Sequence, residues 1–278
     1  MEPIYQILSV SHDGYDRMWY PFYFETNNYL TIINCKDSHE SLSLQYLMKA
    51  MFSSKDSDAW APFSPFFYSD SQTQCEIIFK SSTNDYRLIK KFCNSDSRSE
   101  VFIEKIGTKI HYHGENAHKF LKKFHTPTTI DRNTTNYKNC TIQRPYDEYS
   151  RRNMQERVQG WLRRLGINNG KVYLNPNGTW GFRNRENYID NTEKVKVIMG
   201  LLSIFSQVIF KFSKVGFCSP IILRFDVYSF SQFEINSIIN LLNSICEEHK
   251  LSAIIISNLG NYNINFDTIS TPDTSLYD

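Results

Sequence analysis

The chain has 278 residues, 41% of them apolar and 22% charged, with 31 Lys+Arg against 29 Asp+Glu. This is the make-up of an ordinary globular protein and excludes disordered and fibrous classes, while a net charge of +2 demands neither nucleic acid nor a membrane. Aromatic residues reach 15%, enough for a substantial core. No apolar run approaches the ~18 residues of a spanning helix, and the start lacks the charged-then-apolar order of a signal peptide. The expectation is a soluble intracellular protein, in the cytoplasm or with the nucleoid or nucleus. Six cysteines at 35, 75, 93, 140, 218 and 246 form no CxxC and are spaced too widely for a disulfide scaffold, so they read as free thiols.

Residues 3–10 and 18–34 are rich in Ile, Val, Tyr, Phe and Thr and predict two strands followed by a third at 29–33. A helix follows, with apolar spacing through Leu42, Leu44, Tyr46, Leu47, Ala50 and Met51 and with Ser38 or Ser41 as cap. Segments 75–80, 86–92, 101–106 and 109–112 alternate and predict an antiparallel meander, with Gly107-Thr108 as a hairpin turn. A short helix is expected at 116–124. Residues 126–144 carry no strong pattern and mark a lobe boundary. A charged helix at 146–165 puts Met154, Val158, Trp161 and Leu162 on one stripe. Two short strands flank the turn Asn175-Pro176-Asn177-Gly178. An amphipathic helix at 191–212, a buried strand at 220–223, a helix at 231–249 that includes Phe233 in its apolar set, and a very apolar strand at 252–256 complete the order. The last is of the kind buried on both faces of a parallel sheet. The tail is polar and expected to be loose.

This order resembles the N-terminal lobe of an ABC-type ATPase head. Two strands, a strand ending in a tight turn, a helix and a meander come first, and the strand–helix–strand near the C-terminus resembles the other end of such a head. The chain is similar to the SMC/RecF class, whose two halves are usually separated by a coiled coil. Tyr29-Leu30-Thr31-Ile32-Ile33-Asn34-Cys35-Lys36-Asp37-Ser38-His39-Glu40-Ser41 stands where that class has its strand and phosphate loop. Pro220-Ile221-Ile222-Leu223-Arg224-Phe225-Asp226 stands at the strand carrying the metal-binding acid, and Ala253-Ile254-Ile255-Ile256-Ser257-Asn258 resembles the strand after it. The resemblance implies an α/β fold in which an antiparallel N-terminal meander joins a mostly parallel C-terminal sheet flanked by helices. It divides the chain into an N-terminal lobe (1–125), a connector with a basic helix (126–165) and a C-terminal lobe (166–278).

The residues that do the chemistry of that class are missing. A phosphate loop takes glycines, so that backbone N–H groups can wrap phosphate, and a lysine to meet the terminal phosphates. Residues 34–41 hold no glycine, and Glu40 stands near the lysine's place. Asn34, Lys36, Glu40 and Ser41 make a degenerate loop in which only Ser41 fits. Arg224 and Phe225 stand where an Asp and a Glu are expected, with Asp226 displaced. No Ser-Gly signature lies near 191–200, and Ser257-Asn258-Leu259 follows the last strand in place of the expected His. The resemblance then implies a pseudo-ATPase with no cofactor and no metal. Such a head works through nucleic acid, a protein partner or a second copy of itself, in DNA maintenance or in defence and counter-defence. The richness in Asn, Ile, Lys, Tyr and Ser hints at an AT-rich viral or mobile-element genome.

Charge is locally uneven. Residues 80–125 carry ten Lys/Arg against five Asp/Glu, residues 144–174 seven against three, and residues 217–278 two against seven. The helix at 146–165 gathers Arg151, Arg152, Arg157, Arg163 and Arg164, residues suited to phosphate backbones, and Trp161 adds a candidate stacking ring. A solvated helix whose Asp147, Glu148 and Glu156 pair with these arginines is the plain alternative. His111-Tyr112-His113 places two imidazoles on one face of a strand, near Glu115, His118 and His125. That cluster supports a second reading, a small metal-dependent nuclease or phosphodiesterase using His111, His113 and Glu115. A third is a protein-interaction module that binds no nucleic acid.

Overall fold

The structure, a computed structural model, describes residues 4–13, 21–53, 72–82, 84–93, 99–124, 128–130, 147–176, 178, 180–184, 193–215, 220–225, 227, 230–260 and 262–271. A six-stranded antiparallel sheet runs in the order β2 (Phe22–Glu25), β1 (Gln6–His12), β4 (Gln72–Ser81), β5 (Asn84–Cys93), β6 (Ser99–Lys105), β7 (His111–His113). A five-stranded sheet, parallel throughout, runs β13 (Thr268–Ser270), β3 (Leu30–Asn34), β12 (Ala253–Ser257), β11 (Ile221–Arg224), β8 (Thr128–Ile130). The helices are α1 (Ser38–Phe52), α2 (Gly114–Leu121), α3 (Glu148–Arg164), α4 (Glu193–Val215) and α5 (Gln232–His249). The hairpin β9 (Gly170–Leu174) and β10 (Trp180–Asn184) stands apart from both sheets.

Alternation decides what each face of the parallel sheet covers. Ile33, Ile222, Ile254 and Ile256 join one core with α1, α2 and the inner face of the antiparallel sheet. Leu30, Ile32, Ile221, Leu223, Ala253 and Ile255 join a second core with α3, α4 and α5. Helix α1 is thus packed between the two sheets. Because both faces are buried, the strands read as unbroken apolar runs. Each fully buried Ile or Leu contributes roughly 1.5–3 kcal/mol, so this layer holds the molecule together. The parallel sheet draws β3 from the first fifty residues of the chain, β8 from its middle and three strands from beyond residue 220.

Local signals explain most boundaries. Ser231 and Glu234 form a reciprocal capping box that starts α5. Gly178, at φ 83, closes the Asn175 turn with its N–H on the Asn175 carbonyl at 3.0 Å. Lys90 is fully buried, and its ammonium donates to the carbonyls of Ala50 at 2.9 Å and Ser53 at 2.6 Å. A cation there adds a charged donor at the end of α1, where the Ala50 carbonyl also accepts from the Ser53 N–H at 3.1 Å.

Several expectations need correction. The cap of α1 is Asp37; neither Ser38 nor Ser41 caps it. Strand β7 begins at His111, because residues 106–109 form the turn, and α2 begins two residues early. The patternless stretch after residue 126 contains β8, and the tail contains β13. Strands of three residues are too short to show a period. Phe233 lies outside the core at 79% exposure, on the solvent side of the first turn of α5. Among the described residues, no helix is long and apolar enough to cross a membrane.

His12 is enclosed on the inner face of the antiparallel sheet, beside Phe22 and opposite Cys75. Burial pushes its imidazole down to about 4. An unfolded histidine titrates near ~6.5, so between these values the unfolded chain binds more protons than the folded one. Stability is then fully present above the unfolded value and falls as pH drops through the window, by roughly 3 kcal/mol in all. Urea unfolding at neutral pH and at about pH 4.5 should show wild type losing more stability than His12→Leu on acidification. Equal losses would remove His12 as the cause.

Candidate functional site

Strand β3 ends at Asn34, and only Cys35, Lys36 and Asp37 separate it from α1. The start of a helix presents unpaired N–H groups that attract anions. Here the chain supplies the anions itself. Asp37 Oδ1 accepts from the backbone N–H of His39 and of Glu40, both at 2.8 Å. Glu40 Oε2 accepts from the Lys36 N–H and from Thr271 Oγ1, the latter at 2.7 Å. Glu40 is 3% exposed, so a buried carboxylate fills the place where the resemblance called for a lysine. Ser41, also buried, donates its hydroxyl to the Ser38 carbonyl at 2.9 Å. The Lys36 residue is exposed.

The turn is tied on two further sides. Asn34 Oδ1 accepts from the Leu259 N–H at 2.9 Å, and the Asn34 carbonyl accepts from the Thr271 N–H at 3.0 Å. Arg224 ends β11, in register with Ile256 of β12. Its charge reaches the turn: burial pushes the Cys35 thiol well up, Glu40 and Asp37 add to that rise, and Arg224 opposes it. A cation therefore stands on the strand where the resemblance called for a metal-binding acid. Phe225 is buried and accepts from the Ser257 hydroxyl through its carbonyl. Asp226 lies outside the described residues.

The five arginines of α3 separate into different roles. Arg157 donates to the Ser206 carbonyl at 3.3 Å, and burial lowers its pKa. Arg164 reaches α5, with Glu248 at 3.1 Å and Ser244 at 2.7 Å. Arg151, Arg152 and Arg163 line an open groove of about 620 Å³ with Lys171 of β9, and Glu148 and Glu156 sit on the same wall. Arg152 pairs with Glu156 at 2.9 Å on the exposed face. Gln159 fixes the groove's floor, accepting from Val172 N–H at 2.8 Å and donating to Gly170 O at 3.2 Å. Trp161 is 5% exposed within the core, so it supplies no stacking ring. Sequence reading missed Lys171 and Gln159, because only the packing of β9 on α3 brings them to the arginines.

His111 and His113 are both exposed, with Tyr112 between them stacked on Phe120 at 4.0 Å. The two imidazoles lie 5.2 Å apart, and His113 leans on Phe102 at 4.6 Å. Glu115 is held by Lys119 at 2.8 Å, which keeps its carboxyl below the usual range. His125 lies outside the described residues. Among the described residues no three His, Cys, Asp or Glu side chains converge as a metal site.

No family model matches the chain, and no curated protein matches it. Solved structures do match in fold. The SMC head domain from Thermotoga maritima is 11% identical at a TM-score of 0.56, over 91% of this chain and 89% of that one. An Smc head with an extended coiled coil, bound to the C-terminal domain of ScpA derived from Pyrococcus furiosus, reaches a TM-score of 0.63 at 7% identity, over 92% and 90%. The recombination mediator RecF with ATP reaches 0.51 at 10% identity, over 97% and 98%. The chain has the mixed α/β fold of SMC and RecF heads, with an antiparallel sheet, a parallel sheet and flanking helices.

Asp37→Ala removes the only side-chain cap observed on α1 and should cost about 0.5–2 kcal/mol in urea unfolding. Asp37→Asn, which keeps the acceptor, should retain most of that stability. A neutral Asp37→Ala would mean that the cap carries no weight.

Proposed function

We propose that this chain is a head of SMC/RecF architecture that works without hydrolysing nucleotide, as a binding scaffold in DNA maintenance or in defence and counter-defence. The observation that carries this reading is the filled β3–α1 turn. The carboxylates of Asp37 and Glu40 occupy backbone N–H groups of the kind a phosphate would need. An entering triphosphate would have to displace both and then face their negative charge. The cation Arg224 stands where Mg²⁺ would need an acid.

Binding then falls to surfaces. The groove between α3 and β9 offers Arg151, Arg152, Arg163 and Lys171 as donors to a nucleic-acid backbone, with Arg forks suited to phosphate. Glu148 and Glu156 keep that attraction modest. A protein partner or a second copy fits the same architecture, since two of the matched Smc heads were solved with parts of ScpA.

Calorimetric titration with ATP–Mg²⁺ should show no affinity better than about millimolar, because the helix start is already occupied. Micromolar binding that disappears in Ser41→Ala would overturn the noncatalytic reading. Arg152→Glu with Arg163→Glu should weaken duplex DNA binding and lower the salt slope by about 0.9 for each phosphate no longer neutralised. Unchanged DNA binding, or none in wild type, would leave the protein partner as the role of this head.

A further inference from the structure

A second basic hollow lies far from the filled turn in sequence. Strand β7, helix α2 and the turn after it border an open hollow of about 420 Å³, lined by His111, His113, Asn116, Lys119 and Lys123 beside the stacked Tyr112 and Phe120. Among the described residues no carboxylate lines it. Asn116 and Lys119 share one face of α2, and Lys123 joins them from the turn that follows the helix, so an amide and two ammonium groups line the hollow with the strand. Lys123 sits over the Phe120 ring at 5.1 Å, and Lys119 is shared with Glu115 at 2.8 Å. No side chain caps the start of α2, whose cap residue is His113 itself.

The imidazoles add a proton-dependent part. His111 Nδ1 lies 3.1 Å from the Lys109 carbonyl, and a carbonyl can only accept, so Nδ1 carries the hydrogen. Nε2 is then an acceptor in the neutral ring and a donor once protonated. Phe102 holds both rings, 6.3 Å from His111 and 4.6 Å from His113. Other charges near them among the described residues include Glu104, opposite His111 in register on β6, Arg87 of β5 opposite Glu104, Lys109 in the turn, and Glu115 on α2. Two imidazoles alone would suit a transition cation. Lys119 and Lys123 on the same wall repel one and attract an oxyanion instead.

We propose that this hollow binds a phosphate group, and grips it more tightly as pH falls and the two imidazoles gain charge. The ligand is free phosphate or the terminal phosphate of a nucleic-acid strand. The proposal is independent of the α3 groove, so Arg152→Glu with Arg163→Glu should leave it intact.

Sulfate is the first probe, because its charge is constant over the range in which phosphate itself titrates. The ring resonances of His111 and His113 should move as sulfate is added. Apparent affinity should be at least about fivefold tighter at about pH 6 than at about pH 8. Lys123→Ala should weaken binding at both pH values, while His111→Ala with His113→Ala should remove the pH dependence. A 5′-phosphorylated oligonucleotide binding more tightly than its unphosphorylated twin identifies the strand end as the ligand; equal binding identifies free phosphate. Ring resonances that ignore sulfate overturn the proposal, as does a sulfate response indifferent to Lys123→Ala. Micromolar Zn²⁺ binding by the two histidines without any sulfate response would make this a cation site instead.

Discussion

The parallel pairing of β3 with β12 is the constraint on which the rest of the structure depends. Leu30 through Asn34 run in register with Ala253 through Ser257, buried on both faces. That register fixes where β3 ends, and so where α1 begins. It also brings Leu259 to Asn34 and sets the edge on which β13 is laid. Slipping a strand by one residue exchanges its two faces. Ile32 and Ile33 belong to different cores, so such a slip would unmake both.

The turn at the end of β3 then becomes an electrostatic problem with an internal solution. Helix starts favour negative charge, by the aligned peptide dipoles and by their open N–H groups. Asp37 and Glu40 meet that preference from within the chain. Tethered carboxylates compete with a dissolved anion at the high effective concentration of an intramolecular partner. Arg224 offsets part of their charge, as its opposing influence on Cys35 indicates. Carboxylates on the loop thus face a guanidinium carried by β11, one strand beyond β12.

The longer strands of both sheets are legible in the sequence because alternation and apolar runs record which faces are covered, whereas β8 and β13, of three residues each, are not. The continuous Ile run of β12 announces burial on both sides, and the Met154–Leu162 stripe of α3 announces its inner face. That residues 34–41 hold no glycine is equally legible. How Glu40 is held there is not. Glu40 looks like a surface charge until β13 delivers Thr271 to it, a partner 231 positions away. The arginines of α3 look alike in sequence. Only the packing of α4 and α5 turns Arg157 and Arg164 into fasteners and leaves Arg151, Arg152 and Arg163 at the groove. Phe233 misleads because helical spacing near a first turn does not say whether anything covers that turn.

The long reach of the β3–β12 ladder also sets an order of events during synthesis. The partner of Leu30 emerges on the order of 220 residues after it. At ~5–20 residues per second, the ribosome leaves that strand waiting roughly 10–45 s. The antiparallel meander has no such delay, since β4, β5, β6 and β7 pair with chain neighbours. Helix α1 can rest on that meander early, through Met51, Phe52 and Phe79 of the shared core. The nascent protein would then carry one finished sheet and one apolar strand with both edges bare, a species suited to chaperone capture until residues 253–257 arrive.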